Sequence, residues 1–159
     1  MPTPHYTRVR AFMQKVGQAT PALPLVPDEK TRLLRAKLIL EEAIETIRAM
    51  GVGVRLRDTG GQEGVVTVDP HELSFFINGE VDLEEVVDGC ADISVVTIGT
   101  LIAFGVDDEP VLEEVDQANL RKFGPGSYER DDGKWIKPPD WTPPDIRGVL
   151  ERQRQEADT

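Results

Sequence analysis

Histidine and cysteine are nearly missing from this 159-residue chain, which has two of the first and one of the second. His5 and His71 stand in unrelated contexts and one thiol completes no ligand set, so a zinc site is poorly supported. The lone Cys90 cannot close an internal disulfide. Set in an apolar run, it reads as a buried free thiol in a reducing compartment, and the cytoplasm is the expected location. No Walker-type glycine loop and no Ser/His/Asp arrangement is found in the chain. Positive charge is scarce too: 18 Lys and Arg face 29 Asp and Glu, a net charge of −11. That field repels polyphosphate backbones and anionic membranes, which argues against nucleic acid as a partner. The longest apolar stretch, Ile93 to Phe104, is too short to span a bilayer, and no N-terminal segment joins a charged start to a long apolar core. A soluble globular enzyme or binding protein without a membrane partner is expected.

What the chain has in quantity is carboxylate on helical patterns. Leu38-Ile-Leu-Glu-Glu-Ala-Ile-Glu45 sets Glu41, Glu42 and Glu45 within about one helical turn. Like charges four apart cost roughly 0.2–0.5 kcal/mol per pair. Either solvent tolerates the cluster or a metal uses it. Leu33, Ala36, Leu40, Ala43, Ile44 and Ile47 form the core stripe of this helix, while Leu34, Leu38 and Ala49 bracket the acidic sector with apolar groups.

The punctuation predicts the remaining elements. Thr3 and Pro4 start a first helix that ends near Gly17, with Val9, Phe12, Met13 and Val16 on one face. Thr20 to Pro27 is an extended connector, and Asp28 caps the second helix, which Gly51 stops. Between Gly51 and Gly79 the period changes: Val52, Val54 and Leu56 alternate, and Val65–Val68 is rich in β-formers, so a hairpin is expected over about 52–78. Leu73–Ile77 is either a third strand or a loop. Asp82 to Gly105 reads as a helix apolar nearly all round, hence central and buried, and too few other helices exist to cover it. At least a homodimer follows. Pro110 to Phe123 is a further helix, Ser127 to Lys137 holds two potential strands about an Asp-Gly turn, and Pro138 to Pro144 is extended. Residues 1–145 thus form one all-α domain, a helical bundle completed by oligomerisation with a hairpin inserted between its two acidic helices. Residues 146–159 form a frayed polar tail.

The second acidic cluster lies on the apolar helix, where Glu85, Asp88 and Asp92 share a face with Gly89, Val96, Gly99 and Ala103. Asp82 and Glu85 have capping-box spacing, which needs no metal. Asp88 and Asp92 lie deeper, and a buried ionised carboxylate costs several kcal/mol unless a cation or donor compensates. Magnesium prefers hard oxygen ligands of this kind and leaves positions open to water and phosphate.

Glu42-x-x-Glu45 followed by Glu85-x-x-Asp88 resembles the all-α nucleoside triphosphate pyrophosphohydrolases, which include MazG-like proteins, dimeric dUTPases and phosphoribosyl-ATP pyrophosphohydrolases. Glu114-Val-Asp-Gln-Ala-Asn-Leu-Arg-Lys122 and Asp132-Gly-Lys-Trp-Ile-Lys137 look most like the last branch. Two departures stand out: the segment between the acidic pairs is longer than in compact members, and Asp116 and Ala118 occupy places where that branch often has His and Ser. The resemblance implies cleavage between the α and β phosphates of a nucleoside triphosphate such as dUTP or a non-standard nucleotide, or of phosphoribosyl-ATP. It implies Mg²⁺, or Mn²⁺, held by Glu42, Glu45, Glu85 and Asp88, with Glu41 or Glu45 activating water. Lys122, Arg130, Lys134 and Lys137 would offset the charge of the leaving pyrophosphate, with Asn119 and Tyr128 as hydrogen-bond donors. A non-catalytic nucleotide or metal sensor on the same fold is the competing reading.

Overall fold

A computed structural model describes residues 1–56, 73–131, 133 and 135–156. The chain is mostly helical. In order come α1 (Pro4–Lys15), α2 (Glu29–Ala49), β1 (Val52–Leu56), β2 (Leu73–Ile77), α3 (Leu83–Ala103) and α4 (Asp108–Leu120). A 3-10 turn (Arg121–Phe123), β3 (Tyr128–Glu129), β4 (Trp135–Ile136) and α5 (Ile146–Glu156) follow. The strands make two small antiparallel pairs, β1 with β2 and β3 with β4. The all-α class expected from the helical patterning is what the described residues adopt.

Two compact units divide the chain, and the division falls inside α2 and α3: Met1–Arg32 with Ile98–Thr159, and Leu33–Thr97. In the first, Thr3 caps α1 by accepting from the Tyr6 N–H at 3.1 Å. Its own N–H and hydroxyl donate to the two carboxylate oxygens of Asp108, which is fully buried and also accepts from the Glu109 N–H at 2.9 Å. One side chain therefore ties the start of α1 to the start of α4. Tyr6, Val9 and Met13 are the buried face of α1. Phe12 and Val16, expected beside them, are 57% and 52% exposed. Burial, followed by Asp107, pushes the Tyr6 phenol up to about 12. Gly105 closes α3 in the left-handed conformation, φ 70°, with Val106 N–H reaching back to Leu101 O at 3.0 Å. The predicted connector lies against this end through Leu25 N–H to Phe104 O at 3.0 Å.

The tail departs from expectation. α5 is docked: Val149 is 1% exposed, and the Gln153 amide clasps the Asp107 backbone, accepting from its N–H at 3.0 Å and donating to its carbonyl at 3.1 Å. Val149, flanked by the half-buried Ile146 and Leu150, and a side-chain amide hold a helix whose remaining side chains are polar.

Asp28, in the first unit, and Gly51, in the second, begin and end α2 as predicted, with Thr31 N–H to Asp28 Oδ1 at 2.7 Å and Gly51 at φ 69°. β1 pairs with Leu73–Ile77, from Val52 opposite Ile77 to Leu56 opposite Leu73. The predicted strand Val65–Val68 lies outside the described residues. Burial differs most from expectation here. Leu33 and Leu40, read as core, are 64% and 61% exposed, and on α3 Leu83 and Val87 are 71% and 62% exposed. Cys90, expected buried, is exposed. The burial expected for the whole of α3 holds only toward its C-terminal end, at Val96, Ile98, Ile102 and Ala103. The apolar stripes are present, but within one chain nothing among the described residues covers them. By length and composition α3, at 21 residues, is also long and apolar enough to cross a membrane, which the run Ile93 to Phe104 alone is not. It carries Asp88 and Asp92, each of which costs about 2.5–3.5 kcal/mol at a bilayer centre.

Candidate active site

α2 and α3 run antiparallel in the second unit. Two contacts define the register: Asp82 N–H donates to Ala49 O at 2.9 Å, and the bare Cα of Gly89 lies against Thr46. Stepping one turn from the Thr46/Gly89 contact in opposite chain directions brings Glu42 level with Asp92. Stepping the other way brings Glu85 level with the last residues of α2. The helical pitch therefore sets Asp92, more than Glu85, opposite Glu42.

Electrostatics agree. The half-buried Glu42 carboxyl is held above its ordinary value of 4.5, first by burial and then by the negative charges of Asp92, Glu45, Glu41 and Asp88. Two of those charges come from α2 itself and two from α3, so the predicted clusters share one field. Asp92, which is outside the ligand set that the resemblance implies, acts on Glu42 ahead of every other carboxylate. Glu41, Glu45, Glu85, Asp88 and Asp92 are all exposed. The capping reading of Glu85 also has substance, since its N–H donates to Asp82 Oδ1 at 3.2 Å.

The donor set fits a hard divalent cation in kind: all-oxygen, strongly negative and open to solvent. Among the described residues, no three His, Cys, Asp or Glu groups already converge at metal-holding distances. The set is thus a clustered field on two helices whose side chains would have to turn inward to ligate.

The expected phosphate-side residues lie in the first unit. Lys122 Nζ donates to Asn119 Oδ1 at 2.7 Å, so the two three-apart residues do meet. Trp135 Nε1 donates to Lys122 O at 3.0 Å, its ring 5.0 Å from that of Phe123. Lys137 Nζ sits 3.6 Å over the Trp141 ring, whose Nε1 donates to Ala118 O at 2.8 Å. Trp135 thereby fastens β4 to the 3-10 turn after α4, and Trp141 fastens the segment after β4 to α4 itself. Tyr128 and Arg130 are exposed, and Lys134 lies outside the described residues. Sequence reading did not assign the tryptophans this anchoring role, although an indole N–H near a helix end commonly seeks a free carbonyl there.

A cavity of about 650 Å³ between α2 and the β1–β2 pair is lined by Leu40, Ile44, Ile47, Val54, Phe75 and Phe76 among others. At 100° per residue, Ile44 and Leu40 lie on the side of α2 opposite Glu42. The cavity and the carboxylates are therefore separate features of the same helix.

A family model described as phosphoribosyl-ATP pyrophosphohydrolase matches residues 9–119. That span takes in both acidic helices and most of α4. No curated protein sequence matches the chain.

Proposed function

The chain belongs to the phosphoribosyl-ATP pyrophosphohydrolase family, within the MazG-like pyrophosphohydrolases, and from that premise we propose that it is a magnesium-dependent nucleoside triphosphate pyrophosphohydrolase. The observation that carries the reading is the shared negative field of Glu42, Glu45, Asp88 and Asp92 across α2 and α3, within the matched span. These four, with Glu85 at the edge, are the proposed ligands of Mg²⁺ or Mn²⁺. When bound, the ion supplies neutralisation of the triphosphate oxygens and of the carboxylates at once.

Glu41 takes the proton of a water whose oxygen attacks the α phosphorus. The bond from the α phosphorus to the bridging oxygen breaks, and that oxygen leaves with pyrophosphate, giving the nucleoside monophosphate. The family resemblance assigns the offsetting of the leaving charge to Lys122, Arg130, Lys134 and Lys137, and hydrogen-bond donation to Asn119 and Tyr128. The reaction is the same whether the substrate is dUTP, a non-standard nucleotide or phosphoribosyl-ATP. The last is favoured by the description of the matched family.

The protein acts as a homodimer or higher oligomer in the cytoplasm, where an exposed thiol at Cys90 persists reduced. The uncovered apolar residues of α2 and α3, among them Leu33, Leu40, Leu83 and Val87, are the surface a second copy covers. Pyrophosphate release from a panel of nucleoside triphosphates and phosphoribosyl-ATP, with Mg²⁺ and with EDTA, tests the reading. Activity lost in Glu45→Gln and Asp88→Asn with helicity intact is expected. Full activity in both variants, or tight nucleotide binding with no turnover on any substrate, refutes it, the second result favouring a sensor.

A further inference from the structure

We propose that Thr46 and Gly89 form a spacer that sets the separation of the two carboxylate-bearing helices, which makes them positioning residues for the divalent cation. This rests on the reading of those carboxylates as metal ligands.

Gly89 lies inside α3, past its first turn, where glycine costs helix stability relative to alanine, so its presence calls for a local reason. A Cβ added at Gly89 would overlap Thr46 Oγ1 outright and would stand 3.1 Å from Thr46 Cβ and 3.3 Å from Thr46 Cα. Thr46 is 3% exposed, and its Oγ1 donates to Glu42 O at 2.8 Å, which fixes its rotamer. The bond to Glu42 O opposes turning the hydroxyl away, and the approaches to Thr46 Cβ and Cα persist in every rotamer. The backbone of α3 thus rests directly on a buried side chain of α2.

The proposed ligands flank that contact. Glu42 and Glu45 precede Thr46 by four and one residues, Asp88 precedes Gly89 by one, and Asp92 follows it by three. Every ligand pair that crosses from one helix to the other therefore spans a distance set at Thr46/Gly89. Metal–oxygen distances tolerate only about 0.2 Å, and the short arm of an aspartate has little reach with which to follow a helix that has moved away.

The test is calorimetric titration of the full chain with Mn²⁺ and no nucleotide, folding being followed by circular dichroism. Gly89→Ala forces the helices apart and is expected to weaken Mn²⁺ binding about 10–100-fold, the range for groups that support metal ligands. Alanine is the better helix former, so α3 itself is not weakened. Thr46→Ala added to Gly89→Ala removes the overlapping hydroxyl but keeps the 3.1 Å approach to Cβ, and is expected to recover part of the lost affinity. Thr46→Val keeps the bulk, loses only the hydroxyl and is expected to bind as the parent does.

A folded Gly89→Ala with parental affinity overturns the spacer, as does a double variant that stays as weak as the single one or a Thr46→Val that loses binding. A parent chain that binds no Mn²⁺ overturns the ligand reading and the spacer together. A parent that binds Mn²⁺ and shows the pattern above, yet releases no pyrophosphate, sustains the spacer and refutes only the catalytic reading.

Discussion

Removing the charge of Glu42 should stabilise the metal-free protein, a counter-intuitive result for a residue assigned to the site. Its carboxylate feels the negative charge of four others, Asp92, Glu45, Glu41 and Asp88. Neighbouring like charges on helices cost roughly 0.2–0.5 kcal/mol per pair. With screening of the exposed partners allowed for, Glu42→Gln is expected to return about 1 kcal/mol at neutral pH. The sign follows from the carboxyl being held above 4.5 in the folded chain. The folded state then binds that proton more tightly than the unfolded state does, so the penalty is absent in acid. It develops as pH rises from 4.5 through the raised folded value and is complete above it. Parent and variant should converge in acid and diverge toward neutrality. Magnesium inverts the order: an ion held only by the folded parent adds about 2.7 kcal/mol at a hundredfold excess over its Kd, and the Glu42→Gln variant forfeits most of it. Urea unfolding in EDTA and in Mg²⁺, at acid and neutral pH, measures all four corners. A variant less stable than the parent in EDTA at neutral pH, or one gaining as much from Mg²⁺, refutes the reasoning.

Asp108→Ala removes a fully buried carboxylate and leaves the part-buried Thr3 N–H, Thr3 hydroxyl and Glu109 N–H without their acceptor, at an expected cost of about 1–3 kcal/mol. A loss below about 1 kcal/mol in urea unfolding would show that the tie between α1 and α4 is incidental. Analytical ultracentrifugation of the parent is expected to give a dimer or larger, and Val87→Glu on the exposed stripe of α3 should yield monomer; a monomeric parent removes the inference of a second copy.

Helix ends were legible in the sequence because each is decided within a few residues. Thr3 with Pro4, Asp28, Gly51 and Gly105 all do what their chemistry predicts. Burial was less legible, since periodicity says which face wants cover but not whether the same chain supplies it. Leu33, Leu40 and Cys90 are read as core on pattern and stand exposed in one chain. The docking of α5 was hidden for another reason: it depends on Gln153 meeting a backbone 46 residues away, a pairing that leaves no periodic trace. The partner of β1 was ambiguous because two segments with strand propensity follow it, and a choice between them is one of register.

The candidate site shows the same limit and the reason for it. Which residues carry carboxylates on α2 and α3 can be read from spacing, but which of them face each other depends on where the helices touch. That point is Gly89 against Thr46, and it moves the emphasis from Glu85 to Asp92. It also accounts for the uneven burial of α3. Carboxylates with the proposed role of meeting an ion and a triphosphate need access to solvent, which agrees with the half of the helix that bears them being left uncovered by the described residues. The buried residues of α3 accordingly begin at Val96 and run to Ala103, past the last acidic residue. The close approach of Gly89 to Thr46 lies within the acidic half, which is why a single methyl group there is expected to be felt at the proposed metal site.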